Sequence, residues 1–523
     1  MELVDPQDAF FLHVETPSVP QHVVGLAFLD PSTTPSGAIE LNDVIRSIEG
    51  RLRLVPRLRQ RLAVPRWGLS RPAWVDATGF DIREHIRPVT LPPPGGRREI
   101  IRFLEGVMSE RMDRSRPLWA LYLIEGTDDG RPVILLKLHH CLADGLGALD
   151  LAAALFDPSP LLPSAPAHRW EPEPVPDPVR LFLLTLGRQL ASPLASLSRT
   201  IRGLIVDPPA ATRRGVRLLR GLSELALAGP APRSPLNGPV GPRRRFASVS
   251  VDVAILDQVR RAFGGSTNDI MLTALASALS LQFRGHRASR QQPSQLRAMV
   301  PVSIRTRGQQ KAPGNFTAAL SVLLPMGDMS SLERLARIRA RTRRLKASPQ
   351  PVASRFVMTF VGTWLPAGLH ARLARLMYRG RWFNCIVSTM PGPRRPMYLA
   401  GAKLDEGYPV LPLAKDVGLT VGAMRWGNEM AIGFTGDRDA PLDLDEVARN
   451  LRRCLDELAQ AARAEAIQRA GAREDGRLRA GSPDQAAGNG AIDPSGQPAA
   501  TNSDSVTGSR PPSESPVRIA GSA

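Results

Sequence analysis

The chain has 523 residues, a formal net charge of +19 and a hydrophobic content of 43%. That length exceeds what one compact core usually holds, so we expect two packed units. The excess of basic residues favours an acidic partner, such as a phosphorylated small molecule or an anionic membrane surface. Aromatic residues make up only 5% of the chain and do not alternate with basic ones, which argues against a nucleic-acid-binding protein.

The sequence shows no signal for export or for membrane insertion. Its N-terminus, MELVDPQDAFF, lacks the cationic and apolar regions of a signal peptide. No run of 18 apolar residues occurs, and the nearest candidate, 356–369, contains a proline. The three cysteines lie far apart with no CxxC pair, which fits a reducing compartment. We therefore expect a protein that is soluble or associates with a membrane from one side.

Residues 1–160 form the first predicted unit, in which apolar strands alternate with amphipathic helices. Asp-Asp-Gly at 128–130 marks a turn before the last strand, which ends near 140. The predicted strands cover 22–30, 117–126 and 132–140, and the predicted helices cover 41–52 and 99–112. Continuous apolar strands are normally buried on both faces, so the pattern favours an α/β fold.

Residues 161–245 differ from the first unit in composition. They begin with a proline-rich stretch that cannot form regular structure. Two stretches follow, 179–206 and 211–229, in which arginines and leucines recur at helical spacing. We predict a helical crossover between two lobes, with contact to a membrane as an additional role.

A second α/β unit is predicted over residues 246–466. Its last two strands are joined through Gly427-Asn428, a two-residue hairpin signal, and a helix beginning near Leu444 closes the unit. In residues 467–523 the aromatic residues vanish and no period is visible, so we expect a disordered tail.

The segment HHCLADG, residues 139–145, places ionisable groups at the end of an apolar strand. Adjacent strand residues point to opposite faces, so His139 and His140 can share a site only if the strand ends between them. This disfavours a metal site, and no second cluster would complete the ligands. A single imidazole there suits general base catalysis, with Asp144 orienting a ring or anchoring the loop and Gly145 allowing a corner. A purely structural polar corner is the alternative that the spacing leaves open.

The same segment fits the HHxxxDG pattern of the CoA-dependent acyltransferase superfamily. Over roughly residues 3–460 the chain resembles, more specifically, the bacterial wax ester synthase/acyl-CoA:diacylglycerol acyltransferase family. The further elements that match in order and spacing are DPQDAFFLHVETPSVPQHVVGLAFLD, RPLWALYLIEG with PLW at Pro117, Leu118 and Trp119, TNDIMLTALASAL with ND at Asn268 and Asp269, PLNGPVGPRRRFA, MVPVSIR and VSTMPGP.

The resemblance implies an α/β fold of two chloramphenicol-acetyltransferase-like lobes with a substrate tunnel between them. It implies that His140 is the general base, supported by His139, Asp144 and Gly145. Asp144 tends to be structural in this superfamily and to pair with a basic residue, for which Arg305 is our candidate. No acyl-enzyme and no cofactor are needed, since acyl-CoA is itself a substrate.

The remaining motifs look structural. Ser266 and Asp269 have the form of a capping box at the start of a helix. Trp119 and its neighbours are typical of a core, and Cys141 beside a buried strand end is typical of an inert thiol. The chain departs from the family at Thr389, where an asparagine is common, and this change could affect substrate choice or rate.

The sequence is compatible with three functions. The first is a long-chain acyl-CoA:alcohol O-acyltransferase, with diacylglycerol the leading acceptor and a long-chain fatty alcohol the second. Another is an acyltransferase of the same fold that makes a different ester or an amide. The third is a catalytically silent lipid-binding or droplet-coating protein. The partners we expect are long-chain acyl-CoA, the lipid acceptor and a membrane or lipid-droplet surface in the bacterial cytoplasm.

Overall fold

The computed structural model describes residues 1–65, 70–143, 145–161, 170–285, 293–303, 317–393 and 395–480. The helices in these ranges are α1 (Pro6–Val14), α2 (Leu41–Arg51), α3 (Arg97–Ser109), α4 (Gly145–Leu155), α5 (Pro178–Val206), α6 (Pro208–Leu227), α7 (Val253–Phe263), α8 (Thr267–Gly285), α9 (Ser331–Ala347), α10 (Gln350–Trp364), α11 (Ala367–Met377) and α12 (Leu444–Ala480). The strands are β1 (Glu2–Leu3), β2 (His22–Asp30), β3 (Gln60–Ala63), β4 (Ala73–Asp76), β5 (Ile86–Thr90), β6 (Trp119–Glu125), β7 (Val133–His139), β8 (Arg244–Asp252), β9 (Gln295–Ser303), β10 (Thr317–Pro325), β11 (Cys385–Met390), β12 (Tyr398–Leu399), β13 (Ala402–Val410), β14 (Leu419–Trp426) and β15 (Glu429–Asp437).

The first six-stranded sheet has the order β12-β13-β2-β7-β6-β5. Its neighbours are antiparallel except for the parallel pair β5 and β6. Side chains alternate between two cores, because Leu26 and Tyr122 join the cluster around α3 while Ala27 and Leu121 join the cluster around α2 and α4. Strands β6 and β7 are therefore buried on both faces, as their continuous apolar sequence predicts.

The second six-stranded sheet has the order β10-β9-β11-β14-β15-β8. Strand β11 runs parallel to both β9 and β14, and the other neighbours are antiparallel. One face packs on α7, α8, α9 and α12 in a single large core. The predicted hairpin at Gly427-Asn428 is confirmed, since it joins β14 to β15 and Gly427 has a φ of +58°. A third sheet, β1-β4-β3, has three short strands.

Strand β13 crosses from the second half of the chain into the first sheet, where it pairs with β2. The predicted division at residues 246–466 differs here, because β12 and β13 fall inside that range yet complete the other sheet. The crossing strand runs close over β15: a Cβ added at Gly433 would lie 2.1 Å from the carbonyl oxygen of Pro409. The two sheets are thus tied together by one strand as well as by the crossover helices α5 and α6.

The C-terminal helix α12 is longer than the sequence suggests. The prediction of a disordered tail from residue 467 is wrong for residues 467–480, where the helix continues to Ala480. The rest of the predicted tail, 481–523, lies outside the described residues. None of the helices in the described ranges is long and apolar enough to cross a bilayer.

Candidate active site

Strand β7 ends between the two histidines of the HHCLADG segment. The backbone N–H of His139 still belongs to the sheet and donates to the carbonyl oxygen of Leu118 at 3.0 Å. The next N–H, that of His140, donates instead to the carbonyl oxygen of Gln21 at 2.9 Å, and Gln21 lies in the turn before β2. This change of partner turns the two side chains into different surroundings. The ring of His139 is buried, and that of His140 is half-buried.

The buried ring lies against the carboxylate of Glu15, the residue that follows helix α1. Asp5 caps the start of that helix by accepting from the N–H of Gln7 at 2.9 Å. The helix ends at Val14, and the side chain of Glu15 lies beside the first residue of β2 and the last residue of β7. Its Oε1 lies 3.3 Å from the backbone nitrogen of Gln21. The Nε2 atoms of His22 and His139 lie 3.4 and 3.5 Å from the same oxygen.

The other oxygen of Glu15 faces two arginines from the segment between α3 and β6. The guanidinium of Arg114 donates to Oε2 at 2.6 Å and that of Arg111 at 3.2 Å. Arg114 also donates to the carbonyl oxygen of Leu12, which ties the same segment to α1. The side chain of Glu15 is fully buried. Burial raises its pKa, but the contacts with His139, His22 and Arg114 outweigh burial and hold the pKa well below its usual range, so the carboxylate is ionised.

The ring of His139 is a neutral tautomer. Its Nδ1 accepts the backbone N–H of Cys141 at 3.1 Å, so the ring proton lies on Nε2 and points to Glu15. Burial lowers the pKa of His139 despite the nearby carboxylate, and it acts in the same way on His22. Both imidazoles are therefore neutral and buried beside the carboxylate, and they are poorly suited to carry protons to and from a substrate.

The ring of His140 stacks on Phe11 of helix α1. The ring centroids are 3.7 Å apart and the planes differ by 12°. Phe11 is braced in turn by Phe10, whose ring meets it edge-on at 5.5 Å, and Phe10 meets Tyr378 in the same way. The half-exposed imidazole thus has a fixed plane. An imidazolium formed there would lie against the negative face of an aromatic ring.

Glu15, His22 and His139 also form a group whose ligand atoms lie within 4.8 Å of one another, which is close enough for a metal ion. A cation there would compete with Arg111 and Arg114 for the carboxylate. The two guanidiniums already balance the charge, so an ion-pair network accounts for the cluster.

The PLW residues lie next to this cluster, in the core. Trp119 is buried, and its indole N–H donates to the carbonyl oxygen of Leu58 at 2.8 Å. Leu118 is fully buried beside Cys141 and holds the backbone of His139 through its carbonyl oxygen. Pro117 is buried as well. These residues fix the end of β7 and present no polar side-chain group to a substrate.

The ND residues open helix α8. Asp269 accepts from the N–H and hydroxyl of Ser266, both at 2.8 Å, and from the hydroxyl of Thr342 at 2.6 Å. The capping box expected from the sequence is therefore present. The hydroxyl of Thr389, on β11, donates to the side-chain oxygen of Asn268 at 3.2 Å. The position at which the chain departs from the family pattern thus contacts the ND motif directly.

The predicted pair of Asp144 and Arg305 lies outside the described residues and stays a prediction. Gly145 is the first residue of helix α4. Cys141 is buried, and burial raises the pKa of its thiol well above the usual value, which disfavours a thiolate nucleophile.

Two cavities are outlined by described residues away from the histidines. One, of about 420 Å³, lies between β8 and α12 beside Arg449 and Arg452. The other is a groove of about 730 Å³ on helix α6 beside Arg213 and Arg217. Neither borders His140, so the tunnel to that ring stays a prediction.

Sequence reasoning missed four residues that surround the histidines: Phe11, Glu15, His22 and Arg114. The matching N-terminal stretch contained three of them, but nothing in their spacing indicates that they meet residues 139 and 140. The pairing of β2 with β7 places His22 opposite His139, and helix α1 and the segment before β6 bring the other three residues to the same point.

Two family descriptions match this chain. The wax ester synthase/diacylglycerol acyltransferase catalytic domain matches residues 4–271, and the C-terminal domain of the same family matches residues 313–459. A Mycobacterium tuberculosis protein named probable diacylglycerol O-acyltransferase tgs1 is 31% identical over 454 residues. The alignment covers 85% of this chain and 93% of that protein.

Solved structures agree with the fold. The wax ester synthase/diacylglycerol acyltransferase from Marinobacter aquaeolei matches with a TM-score of 0.60 and 25% identity, covering 88% of this chain and all of that one. The first condensation domain of the calcium-dependent antibiotic synthetase matches with a TM-score of 0.57 and 15% identity, covering 88% of this chain and 95% of that one. The second likeness bears on the fold alone.

We expect Glu15→Gln to destabilise the protein by about 1–3 kcal/mol, because it replaces the carboxylate that accepts from two guanidiniums by a neutral amide with a single acceptor oxygen. The effect is smaller than for a fully buried pair, since Arg111 and Arg114 reach water. Chemical denaturation at pH 7 measures it. The matched control is Glu84→Gln, which breaks the half-exposed pair with Arg116 and should cost less than about 0.5 kcal/mol. Equal costs for both variants would contradict the network.

Proposed function

Because the chain belongs to the wax ester synthase/diacylglycerol acyltransferase family, we propose that it transfers a long-chain acyl group from acyl-CoA to 1,2-diacylglycerol, giving triacylglycerol and CoA in storage-lipid synthesis. The observation that carries the proposal is the HHCLADG segment at the end of β7, within a chain that matches both domains of the family. The relative named as a diacylglycerol O-acyltransferase supports the acceptor. The reaction needs no cofactor.

In this proposal His140 is the general base. It takes the proton of the acceptor hydroxyl as the oxygen attacks the thioester carbonyl carbon of acyl-CoA. The tetrahedral intermediate collapses by breaking the carbon–sulfur bond, and the imidazolium returns the proton to the departing CoA thiolate. Both substrates meet at one imidazole, so no acyl-enzyme forms and proximity supplies much of the acceleration. The half-buried position of this ring supports the role, whereas the buried ring of His139 is engaged with Glu15.

Phe11 and Glu15 are positioning residues for this base. Phe11 fixes the plane of the His140 ring and favours its cationic form through the aromatic face. Glu15 holds His139, the preceding residue, and thereby the direction in which the chain leaves β7. We also propose that Asp144 anchors the loop by pairing with Arg305.

A long-chain fatty alcohol is the second candidate acceptor, since the Marinobacter aquaeolei structure with the same fold is described as a wax ester synthase as well as a diacylglycerol acyltransferase. Purified protein with labelled palmitoyl-CoA and either diacylglycerol or hexadecanol separates the two. Triacylglycerol as the main product supports the proposal, and wax ester supports the second candidate. Release of no CoA with either acceptor would favour a silent lipid-binding protein.

We further propose that the protein works at the cytoplasmic side of the bacterial inner membrane or on lipid droplets. Long-chain acyl-CoA and diacylglycerol partition into such surfaces. The crossover helices α5 and α6 carry arginines beside apolar residues, as interfacial helices do.

We expect His140→Ala to lower kcat by about 10²–10⁴-fold, the usual contribution of a positioned base. The rate of CoA release from palmitoyl-CoA with diacylglycerol measures it. The control is Cys141→Ala in the neighbouring position, which should keep most of the activity because the thiol is buried and protonated. Near-normal turnover by the His140 variant would refute the assignment.

We expect Phe11→Leu to lower kcat by about three- to tenfold with little change in KM for acyl-CoA, since leucine fills the space but has no aromatic face. Phe11→Tyr, which keeps the ring, should restore most of the rate. If both variants lose activity equally, the stacking interaction is not what matters at this position.

A further inference from the structure

Helix α10 presents an apolar stripe to solvent. Val352, Phe356, Phe360 and Trp364 recur every four residues, which places them on one face, and each is between 39% and 50% exposed. The three aromatic rings stack along the helix, with centroids 5.3 and 5.7 Å apart and planes that differ by 22° in each pair. Such an ordered, exposed row of aromatic side chains is typical of an interaction surface.

Helix α11 extends this surface beyond the end of α10. Leu369 and Leu376 are exposed two turns apart, with exposed Arg372 between them. The opposite side of α11, with His370 and Ala374, is buried against helix α1 and α10. Both helices are thus anchored on one side and apolar on the other.

The surroundings of the stripe are basic and almost free of acidic groups. Helix α10 packs on both α5 and α6. The four helices α5, α6, α10 and α11 contain one acidic residue, Glu224, which pairs with Arg220 at 3.3 Å. The arginines of these helices whose side chains are described are Arg180, Arg188, Arg202, Arg213, Arg214, Arg217, Arg220, Arg355, Arg372 and Arg375.

We propose that the exposed side of α10 and α11, flanked by the arginines of α5 and α6, docks on an anionic phospholipid bilayer. Phe356, Phe360 and Trp364 insert at the boundary between headgroups and acyl chains, where aromatic side chains are favoured. The arginines of α5 and α6 face the lipid phosphates and outnumber the nearby carboxylates, which are Glu224 and the cap residues Asp177 and Asp207, so the surface stays basic. This charge complementarity favours an anionic lipid surface over a protein partner. The inference deepens the proposed function by naming the surface through which a lipid acceptor is reached.

The docked surface lies one helix away from the candidate base. Helix α1 packs against both α10 and α11. The guanidinium of Arg375 donates to the carbonyl oxygen of His13 at 2.9 Å, and a Cβ added at Gly362 would lie 2.4 Å from the ring of Pro6. Phe11 on this helix stacks on His140. Contact with a bilayer therefore places the stacked imidazole close to the lipid surface.

Vesicle flotation of the full chain tests the proposal. We expect binding to phosphatidylcholine vesicles that contain about 30 mol% phosphatidylglycerol, little binding to pure phosphatidylcholine, and release at about 0.5 M salt. The triple variant Phe356→Ser/Phe360→Ser/Trp364→Ser should bind the anionic vesicles at least about tenfold more weakly. The control, Leu54→Ser/Val64→Ser/Leu332→Ser, changes exposed apolar residues elsewhere and should bind within about twofold of the original protein.

Two further measurements keep the outcomes distinct. The circular dichroism spectrum and the acyl transfer in detergent-dispersed substrates should be unchanged in the triple variant. Full binding by that variant, or equal binding to neutral and anionic vesicles, would overturn the docking proposal. A third outcome would also overturn it: if the original protein is a dimer without lipid and the triple variant is a monomer, the stripe is a contact between two copies. Acyl transfer that is absent from the original protein, with vesicle binding intact, would instead contradict the proposed function.

Discussion

The candidate site depends on one buried carboxylate. Glu15 accepts from the backbone N–H of Gln21 and from the guanidiniums of Arg111 and Arg114, and the Nε2 atoms of His22 and His139 lie 3.4 and 3.5 Å from its Oε1. An ionised carboxylate out of water is stable only when it is matched in this way. These contacts require that the end of α1, the start of β2, the end of β7 and the segment 111–114 all lie around Glu15. The geometry of the two histidines follows from that convergence.

The end of β7 places two adjacent imidazoles in different surroundings. His139 is still in the ladder, is buried, and is neutral, with its Nε2 3.5 Å from Glu15. His140 is one residue past the ladder and stacks on Phe11. Because α1 carries both Phe11 and, at its end, Glu15, one short helix contacts both rings. The same helix packs on α10 and α11, so a single helix lies between the candidate base and the helices that carry the exposed apolar stripe.

Local sequence patterns predicted many of the elements but not their long-range pairing. Strand β2 has its predicted bounds, 22–30, because its apolar run and the flanking turns are local signals. The cap at Asp269 was also accessible, since it depends on a few neighbouring residues, and the predicted strand over 132–140 extends one residue beyond the observed end at His139. The role of Glu15 was not accessible, because its partners His139, Arg111 and Arg114 come from two segments that are distant in the sequence. The crossing of β13 into the first sheet was missed for the same reason. Helix α12 continues to Ala480, beyond the apolar residues from which it was predicted.

The protonation state of His139 tests the central interaction most directly. Nitrogen-15 NMR of the histidine rings, with the His139 signals assigned by their loss in His139→Gln, reports which nitrogen carries a proton. Between about pH 5 and pH 8 we expect a neutral ring with the proton on Nε2, facing Glu15, and an unprotonated Nδ1 that accepts from Cys141. An imidazolium at pH 7, or a proton on Nδ1, would contradict the arrangement on which the site depends.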